Sequence, residues 1–247
     1  MNVPVKDSRT ALLLGEAGVN ALKKARVAVF GIGGVGGFAC EALARAGVGS
    51  LLLVDDDTVS ESNLNRQLIA LRSTIGQPKV AVMAARIADI DPSIAVETRQ
   101  CFFDETTAGS FDFSAFDYVI DAIDTVSAKV ELICRAKAAG TPIVSCMGAG
   151  NKLDPTKFVV TDLAKTDTCP LARVLRQRLR KQGIAHLQVV YSTEPPLTPL
   201  ETIEDGGRRQ LPGSVSFVPS AAGLVAAGAV IRAPAPLGRG RNTAGAS

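Results

Sequence analysis

The stretch of residues 26–57 constrains the fold more than any other part of the chain. It begins with an apolar, β-branched run at residues 27–30, which is typical of a buried strand in a parallel sheet. Four glycines follow, then a helical segment at residues 40–46 and a second apolar strand at residues 51–54 that ends in three aspartates. Glycine allows the backbone to turn tightly and to approach a phosphate, which the N–H groups at the start of a helix can hold. The glycines are Gly31, Gly33, Gly34 and Gly36.

An acid at the end of the second strand completes this pattern. Asp55 is placed to accept hydrogen bonds from a ribose. Glycines that served only a tight turn would explain the loop but not the acid. The arrangement therefore predicts a nucleotide site, and the Gly31-x-Gly33-x-x-Gly36 spacing leaves open whether a mononucleotide or a dinucleotide binds there.

The composition excludes several classes of protein. Apolar residues make up 47% of the 247 residues, enough for a sizeable core, and the formal net charge of +3 is too small to imply nucleic-acid binding by itself. The five cysteines include no C-x-x-C pair, which indicates reduced thiols rather than a disulfide framework or a zinc ribbon. The N-terminus lacks the apolar core of a signal peptide, and the longest apolar run, residues 221–231, is too short to span a bilayer. We therefore expect a soluble, cytoplasmic protein that does not contact membranes.

Strand and helix patterns alternate along the chain, which predicts an α/β fold with a Rossmann-like, doubly wound and mostly parallel sheet. Further strands are expected at residues 94–98, 118–123, 143–147, 158–161 and 187–191, and a C-terminal strand and helix extension is expected to complete the sheet. The predicted parts are a helical lead-in at residues 1–25, a nucleotide-binding core at 26–150, a second part of the same domain at 151–232 and a disordered tail at 233–247.

Polar side chains gather at the predicted carboxyl edge of this sheet, where doubly wound folds bind their ligands. An arginine and a lysine beside the phosphates, with further aspartates, suit phosphoryl or nucleotidyl transfer rather than hydride transfer, because cations offset charge that develops on phosphorus and an aspartate can hold Mg²⁺. The alternative is ordinary polar residues at strand ends, with Arg66 in a surface ion pair. Asn63 is expected to cap a short helix that carries Arg66 and Gln67. The residues are Asp55, Asn63, Arg66, Gln67, Lys79, Asp121 and Asp124.

Four motifs carry a family resemblance: GIGGVG, DDDTVSESNLNRQ, GQPK and DAIDT, in this order. Together they resemble the ubiquitin-activating-enzyme-like ATP-binding family of ThiF, MoeB and HesA over about residues 26–150. The resemblance implies that ATP is bound, with Asp55 on the ribose and Asp124 on Mg²⁺. Where those relatives often have Asn after the metal-binding aspartate, this chain has Thr125. The resemblance places Asn63, Arg66 and Lys79 on the phosphates, with Gln67 and the glycine turn also among the nucleotide-binding residues. It assigns catalysis to Arg66, Lys79 and Asp124.

The N-terminal segment adds a residue from outside the nucleotide core. Arg9 lies in an S-R-T-x-L-L-x-G context, which is similar to that of the arginine that members of this family insert into the ATP site of the neighbouring subunit. The resemblance therefore implies a homodimer with composite sites, in which Arg9 acts in trans.

The second half of the chain is similar to one branch of this family. The segments MGAGNKLDPTKFVVTDLAKTDTCPLARVLRQRLRKQG, YSTEP and FVPSAAGL resemble the branch that dehydrates threonylcarbamoyladenosine beside the anticodon of tRNA. The implied reaction activates the carboxylate of the modified base as an acyl-adenylate, after which a nucleophile of the same substituent closes the ring and expels AMP. The resemblance leaves open a monovalent cation as a further cofactor and a cysteine-desulfurase sulfur acceptor as a further partner.

Two other functions remain open at this stage. One is an adenylyltransferase of the ThiF and MoeB kind, acting on the C-terminus of a small sulfur-carrier protein. The other is a nucleotide-binding adaptor without catalytic activity.

A basic segment and the thiols bear on this choice. Five cations with no acid among them precede Gly183, and the resemblance suggests that they contact tRNA phosphates, although a solvated helix face is the alternative. An activated carboxylate that cyclises on itself needs no enzyme thiol, whereas sulfur transfer usually does. Cys169 is the candidate if a thioester forms, but a cap or filler role before Pro170 is favoured, and His186 receives no catalytic role. The cations are Arg173, Arg176, Arg178, Arg180 and Lys181.

Overall fold

A seven-stranded sheet forms the centre of the molecule in the computed structural model, which describes residues 4–201, 204–205 and 209–233. A separate two-stranded hairpin consists of Glu204–Asp205 and Arg209–Gln210. The strands of the main sheet are β1 (Arg26–Phe30), β2 (Ser50–Val54), β3 (Ala95–Arg99), β4 (Tyr118–Asp121), β5 (Ile143–Cys146), β6 (Phe158–Asp162) and β7 (Gln188–Ser192).

The strand order β3-β2-β1-β4-β5-β7-β6 confirms the predicted doubly wound sheet. Every neighbouring pair is parallel except β6 and β7, which pair antiparallel at the edge. The chain winds outward from β1 through β2 and β3, then returns to the other side of β1 with β4. The loops that follow β1 and β4 therefore leave in opposite directions, which opens a crevice at the carboxyl ends of these two strands.

Six helices cover the two faces of the sheet within the described part of the chain. Val27 and Val29 face a core shared with α1, α2, α3 and α6, whereas Ala28 and Phe30 face a core shared with α4 and α5. This alternation is the side-chain period of a strand that is buried on both faces. The helices are α1 (Ser8–Lys24), α2 (Gly36–Arg45), α3 (Lys79–Ile90), α4 (Val126–Ala138), α5 (Pro170–Lys181) and α6 (Phe217–Ile231).

The element boundaries differ from the predicted ones at the glycines. Helix α2 begins at Gly36 rather than at residue 40, because its first turn packs directly on the turn that follows β1. A kink interrupts α1 at Gly15, which has φ 72° and ψ 168°, whereas Gly18 is helical. Helix α6 begins at Phe217.

Two segments lie partly or wholly outside this description. The predicted tail from residue 234 onward lies outside the described residues, as do parts of the proline- and glycine-rich loop at residues 193–213. Among the described residues, no helix combines the length and the apolar composition that crossing a bilayer requires.

Candidate active site

A cleft of about 670 Å³ opens at the carboxyl ends of β1, β2 and β4. Its walls are the glycine turn after β1, the aspartates after β2, the loop between β4 and α4, and residues 211–214 that lead into α6. The cleft brings together three of the four glycines, Gly31, Gly33 and Gly34, but not Gly36, which does not line it. It also brings together six of the seven polar residues that the sequence placed at this edge: Asp55, Asn63, Arg66, Gln67, Lys79 and Asp124.

The glycine turn has no room for side chains. Gly31 has φ 88°, and a Cβ atom there would lie 2.6 Å from the carbonyl oxygen of Ala122. A Cβ atom at Gly36 would lie 1.7 Å from the carbonyl oxygen of Gly31. These close backbone contacts fix the entry into α2, and the start of a helix offers N–H groups from which a phosphate can accept.

Asp55 stands at the end of β2 and joins it to the glycine turn. Its carboxylate accepts hydrogen bonds from the Ile32 N–H at 2.5 Å and the Asp57 N–H at 2.9 Å. Burial raises the pKa of the Asp55 carboxyl above its usual value, while the positive charge of Lys79 and the two N–H donors act against this shift. The folded protein thus holds a desolvated acid where the sequence predicted the ribose contact.

Lys79 is the first residue of α3, and its side chain is only 7% exposed. Its ammonium group lies 2.6 Å from Asp57 Oδ2 and 3.9 Å from Asp55 Oδ1. The backbone helps to place it, because the Lys79 N–H donates to the Asp57 carbonyl at 3.0 Å. The aspartates after β2 therefore hold a buried cation at the cleft.

The segment that carries Asn63 and Arg66 differs from the prediction. Asn63 ends a 3-10 turn, Glu61–Asn63, instead of capping a helix, and its Oδ1 atom accepts from the N–H of Ser60 at 3.1 Å. The Asn63 N–H also donates to the Ser60 carbonyl at 3.0 Å, which closes this turn. The Arg66 guanidinium donates to the Ser62 carbonyl at 2.9 Å, which holds this cation at the cleft wall.

Gln67 follows on the same segment and is 8% exposed. Its Oε1 atom is buried and has no hydrogen-bond partner among the described residues. Its Nε2 atom lies 3.7 Å from the position that a Cβ atom would take at Gly33. A buried polar atom without a partner is costly, so Gln67 beside the glycine turn marks a place where a polar ligand group would be stabilised.

Asp124 and Asp121, which the sequence placed together, have different positions. Asp124 is exposed on the loop between β4 and α4, where its Oδ1 atom lies 3.4 Å from Thr125 Oγ1. Asp121 is fully buried at the end of β4 and pairs with Lys129 at 3.0 Å. Asp121 is therefore absent from the cleft wall, because β4 turns its side chain into the core. The sequence analysis missed Lys129, although it occupies the buried face of α4 beside Ala128 and Leu132.

Contacts at the mouth of the cleft also escaped the sequence analysis. Asn151 has φ 57°, and its Oδ1 atom accepts from the Gly213 N–H at 2.6 Å. The Asn151 N–H donates to the Gly213 carbonyl at 2.7 Å, and Asn65 Nδ2 donates to the Ser214 carbonyl at 3.0 Å. Asn tolerates the left-handed conformation better than most residues, which is the one local signal that pointed to this position.

Arg9 lies apart from the cleft of its own chain. It is exposed on α1 and is not one of the described residues that line the cleft. Val5, Leu12 and Leu13 are also exposed, by 91%, 70% and 88%, and lie three or four residues from Arg9 along the chain. The N-terminal half of α1 thus presents an apolar surface around one arginine.

The predicted nucleic-acid-binding residues all lie on α5, but one differs from the rest. Arg176 is half-buried, and its guanidinium donates to the Leu163 carbonyl at 3.2 Å and to the backbone and side chain of Thr166. Cys169 precedes α5 at the N-cap position, makes no side-chain cap, and is 3% exposed, which fits the predicted filler role. Exposed cations on this helix are Arg173, Arg178, Arg180 and Lys181.

Comparison with known proteins matches this chain to the ThiF family over residues 7–236. The chain is 47% identical over 234 residues to the tRNA threonylcarbamoyladenosine dehydratase of Bacillus subtilis, with 91% of this chain and 92% of that protein covered. The crystal structure of the Escherichia coli tRNA N6-threonylcarbamoyladenosine dehydratase TcdA in complex with ATP matches with a TM-score of 0.84, at 37% identity and 92% coverage of both chains. The molybdopterin-synthase adenylyltransferase of Escherichia coli is 40% identical over 144 residues, which cover 58% of this chain and 57% of that protein.

Replacement of Lys79 by Met should raise the pKa of Asp55 further. The ammonium group favours the ionised carboxylate, so its loss leaves burial opposed only by the N–H donors. Because a raised pKa means that the folded state binds this proton more tightly, the contribution of Asp55 to the free energy of unfolding falls as the pH rises through that pKa. Carboxyl ¹³C NMR titration of the wild type and of Lys79→Met measures the shift. Lys24→Met, an exposed lysine on α1, serves as the control; an unchanged or lowered Asp55 pKa in Lys79→Met would contradict the assignment.

Proposed function

The chain belongs to the ThiF family, and we propose that it is an enzyme that uses ATP to cyclise N6-threonylcarbamoyladenosine beside the anticodon of tRNA, with release of AMP and pyrophosphate. The observation that carries this proposal is the extent of the likeness to the dehydratase, which covers 91% of the chain against 58% for the molybdopterin-synthase adenylyltransferase. Coverage of 91% takes in most of residues 151–232, the part beyond the nucleotide core.

The residues at the cleft fit ATP. The unpartnered Gln67 Oε1 atom lies beside the glycine turn, and both are suited to a polar ligand at short range. The cations Lys79 and Arg66 face a ligand that carries several negative charges. The crystal structures of the Escherichia coli dehydratase in complex with ATP and with AMP support the same assignment.

Each residue at the cleft then has a role. Asp55 accepts hydrogen bonds from the ribose, while Asn63, Gln67 and the N–H groups of the glycine turn bind phosphate oxygens. Arg66 and Lys79 offset the negative charge that develops on the α-phosphate and on the departing pyrophosphate. Because these donors are held in place before the reaction, little reorganisation is needed when the charge moves.

Asp124 is the candidate metal ligand. It is an exposed carboxylate at the cleft, close to Thr125 Oγ1, and Mg²⁺ typically binds one or two carboxylates together with substrate phosphates and waters. When bound, Mg²⁺ supplies charge neutralisation for the triphosphate. The donor chemistry at Asp124 therefore fits the metal that accompanies ATP.

The reaction balances in two steps. First, a carboxylate oxygen of the modified base bonds to the α-phosphorus, and the bond between the α-phosphorus and the bridging oxygen breaks to release pyrophosphate. Second, a nitrogen or oxygen nucleophile of the same substituent bonds to the acyl carbon, loses its proton, and displaces AMP. One carboxylate oxygen leaves with AMP, so the base loses the elements of one water.

We further propose that the enzyme is a homodimer with composite sites. Arg9 stands exposed among Val5, Leu12 and Leu13, a surface that a second copy of the chain would cover. In such a dimer, Arg9 would reach the phosphates of the ATP bound by the partner. Arg9 does not line the cleft of its own chain.

The exposed cations of α5 are proposed to contact tRNA phosphates. Thr168 Oγ1 donates to the Ser192 carbonyl at 3.3 Å, so α5 begins near the carboxyl end of β7, on the same edge as the cleft. Arg173 lies in its first turn, and Lys181 lies about 12 Å further along at the usual helical rise. Such contacts position the tRNA without reading its sequence.

The activity is assigned to the cytoplasm, in keeping with five free thiols.

The second candidate is adenylation of a small sulfur-carrier protein, which the 40% identity to the molybdopterin-synthase adenylyltransferase favours. It shares the first step, in which a carboxylate attacks the α-phosphate. The two functions differ in the acceptor and in the fate of the acyl-adenylate.

Incubation of the protein with ATP, Mg²⁺ and tRNA that carries threonylcarbamoyladenosine should convert this nucleoside to a product that has lost one water. Mass spectrometry of the digested nucleosides detects the product, and α-labelled ATP should give AMP. Asp124→Ala and Arg66→Ala should abolish both. Formation of ADP, or an unchanged nucleoside together with adenylation of a carrier protein, would contradict the proposal, and full activity of either variant would remove that residue from the site.

Mixing Arg9→Ala and Asp124→Ala subunits should restore activity that neither variant has alone. Each mixed dimer has one site with an intact Asp124 and an intact Arg9 from the partner, so random pairing of symmetric dimers gives about a quarter of wild-type activity. Nucleoside conversion after denaturation and co-refolding measures the recovery, with Arg9→Ala refolded alone as the control. Absence of recovery in dimers that mass spectrometry shows to be mixed would exclude action in trans.

Substitution of Arg173, Arg178 or Arg180 by Gln should weaken tRNA binding. Each phosphate contact that is lost should reduce the slope of log affinity against log salt concentration by about one. Filter binding of unmodified tRNA across a salt series measures the slope, with Lys24→Gln on α1 as the matched loss of one exposed charge. Equal slopes for the α5 variants and the control would contradict the contact.

A further inference from the structure

A charged pair lies buried directly behind the loop that carries Asp124. The Lys129 ammonium and the Asp121 carboxylate are 3.0 Å apart, and both side chains are 0% exposed. Neither residue lines the cleft, so neither can contact ATP. The reaction proposed above makes no direct use of them.

The pair holds both backbone polar groups of one residue in the loop. Asp121 Oδ1 accepts from the Ile123 N–H at 3.2 Å, and Lys129 Nζ donates to the Ile123 carbonyl at 2.8 Å. Ser145 Oγ donates to Asp121 Oδ2 at 2.5 Å, which fixes the carboxylate from β5. Ile123 immediately precedes Asp124, so these contacts set where the Asp124 backbone leaves the sheet.

The loop is anchored at its other points as well. The Ala122 N–H donates to the Phe30 carbonyl at 2.8 Å, and the Lys129 N–H donates to the Thr125 carbonyl at 3.0 Å. The residue that supplies the buried cation is thus tied to the loop on both sides of Asp124.

Stability alone does not account for a buried ion pair here. Desolvation of two charges offsets much of their attraction, and apolar residues of similar volume are often as stable or more stable in such a place. The surroundings are already apolar, since Leu132 and Ile133 on the same helix are fully buried. An apolar pair could not form the hydrogen bonds to the N–H and carbonyl groups of Ile123.

We propose that Lys129 is a positioning residue which, with Asp121 and Ser145, holds the segment from Ile123 to Asp124 so that the Asp124 carboxylate is preset for the metal that accompanies ATP. This inference rests on the proposed function, in which Asp124 is the metal ligand. It resembles the outer-shell contacts of metal sites, which orient a ligand without touching the metal.

The test is the double variant Asp121→Leu/Lys129→Met, which removes both charges and leaves no unpaired ion. Mn²⁺ replaces Mg²⁺ as the probe, and its binding is followed by electron paramagnetic resonance on the full chain with a non-hydrolysable ATP analogue. Affinity for the analogue without metal and the melting temperature are measured in parallel. Lys137→Met, an exposed lysine near the end of the same helix, is the matched control.

We expect the half-saturating Mn²⁺ concentration to rise about tenfold or more in the double variant, as for other outer-shell substitutions. Metal-free affinity for the analogue and the melting temperature should match those of the control. A role in stability alone would lower the melting temperature and leave the Mn²⁺ affinity of the folded protein unchanged, and that result would overturn the proposal.

Two further variants keep the test decisive. If the double variant does not fold, Ser145→Ala keeps the ion pair and removes one hold on Asp121, and a rise of a few-fold in half-saturating Mn²⁺ supports the proposal while no rise overturns it. Asp124→Ala distinguishes the proposed metal role of Asp124 from the proposed positioning role of Lys129. Loss of Mn²⁺ binding in Asp124→Ala, but not in the positioning variants, overturns this proposal alone; wild-type binding in Asp124→Ala overturns the metal role of Asp124 and this proposal with it.

Discussion

Direct backbone contact between the ends of β1 and β4 is the constraint on which the rest of the site depends. The Ala122 N–H donates to the Phe30 carbonyl at 2.8 Å. Gly31 comes next in the chain, and a Cβ atom there would clash with the Ala122 carbonyl. The two strands therefore stay paired up to the point at which their chains diverge. One chain becomes the glycine turn and the other becomes the Asp124 loop, so a single contact sets the spacing between this turn and the candidate metal ligand.

Opposite charges are paired close to this contact. The Lys79 ammonium lies between two acids that follow β2, and burial raises the pKa of one of them, Asp55. Asp57 is 64% exposed, so solvent weakens its hold on Lys79, and a triphosphate that brings more negative charge can compete for the same cation. A site of this kind holds its lysine in place through fixed acids, which suits the stabilisation of a developing negative charge.

Most of the cleft could be predicted from the sequence because its signals are local. The glycine spacing, the acid after β2 and a lysine at the start of α3 each follow from a short pattern with one structural meaning. Asn63 shows where local patterns are ambiguous, because the same side chain can cap a helix or close a turn. Here its Oδ1 atom accepts from the Ser60 N–H and closes a turn. In the sequence, Arg176 cannot be distinguished from the other cations of α5. In the fold, its guanidinium donates to Thr166.

Other features depend on contacts between distant parts of the chain. Asn151 accepts a hydrogen bond from the Gly213 N–H, 62 residues away along the chain, and neither residue type predicts this contact. Lys129 pairs with Asp121 only eight residues away, and the apolar neighbours on its helix face could have revealed that this lysine is buried. The deciding fact, that Asp121 points into the core rather than the cleft, required the sheet pairing of β4 with both β1 and β5.

The thiols favour a substrate that cyclises over a thiol relay. A thioester needs an accessible thiolate, but Cys169 is 3% exposed at the start of α5. Cys101 does line the cleft, yet burial raises the pKa of its thiol and so lowers its thiolate fraction at neutral pH. An acyl-adenylate formed on a base that carries its own nucleophile is consumed within the same substituent, and the proximity of the two groups replaces the covalent enzyme intermediate. A cleft that offers cations, N–H donors and exposed carboxylates, but no reactive thiol among its described residues, is suited to that chemistry.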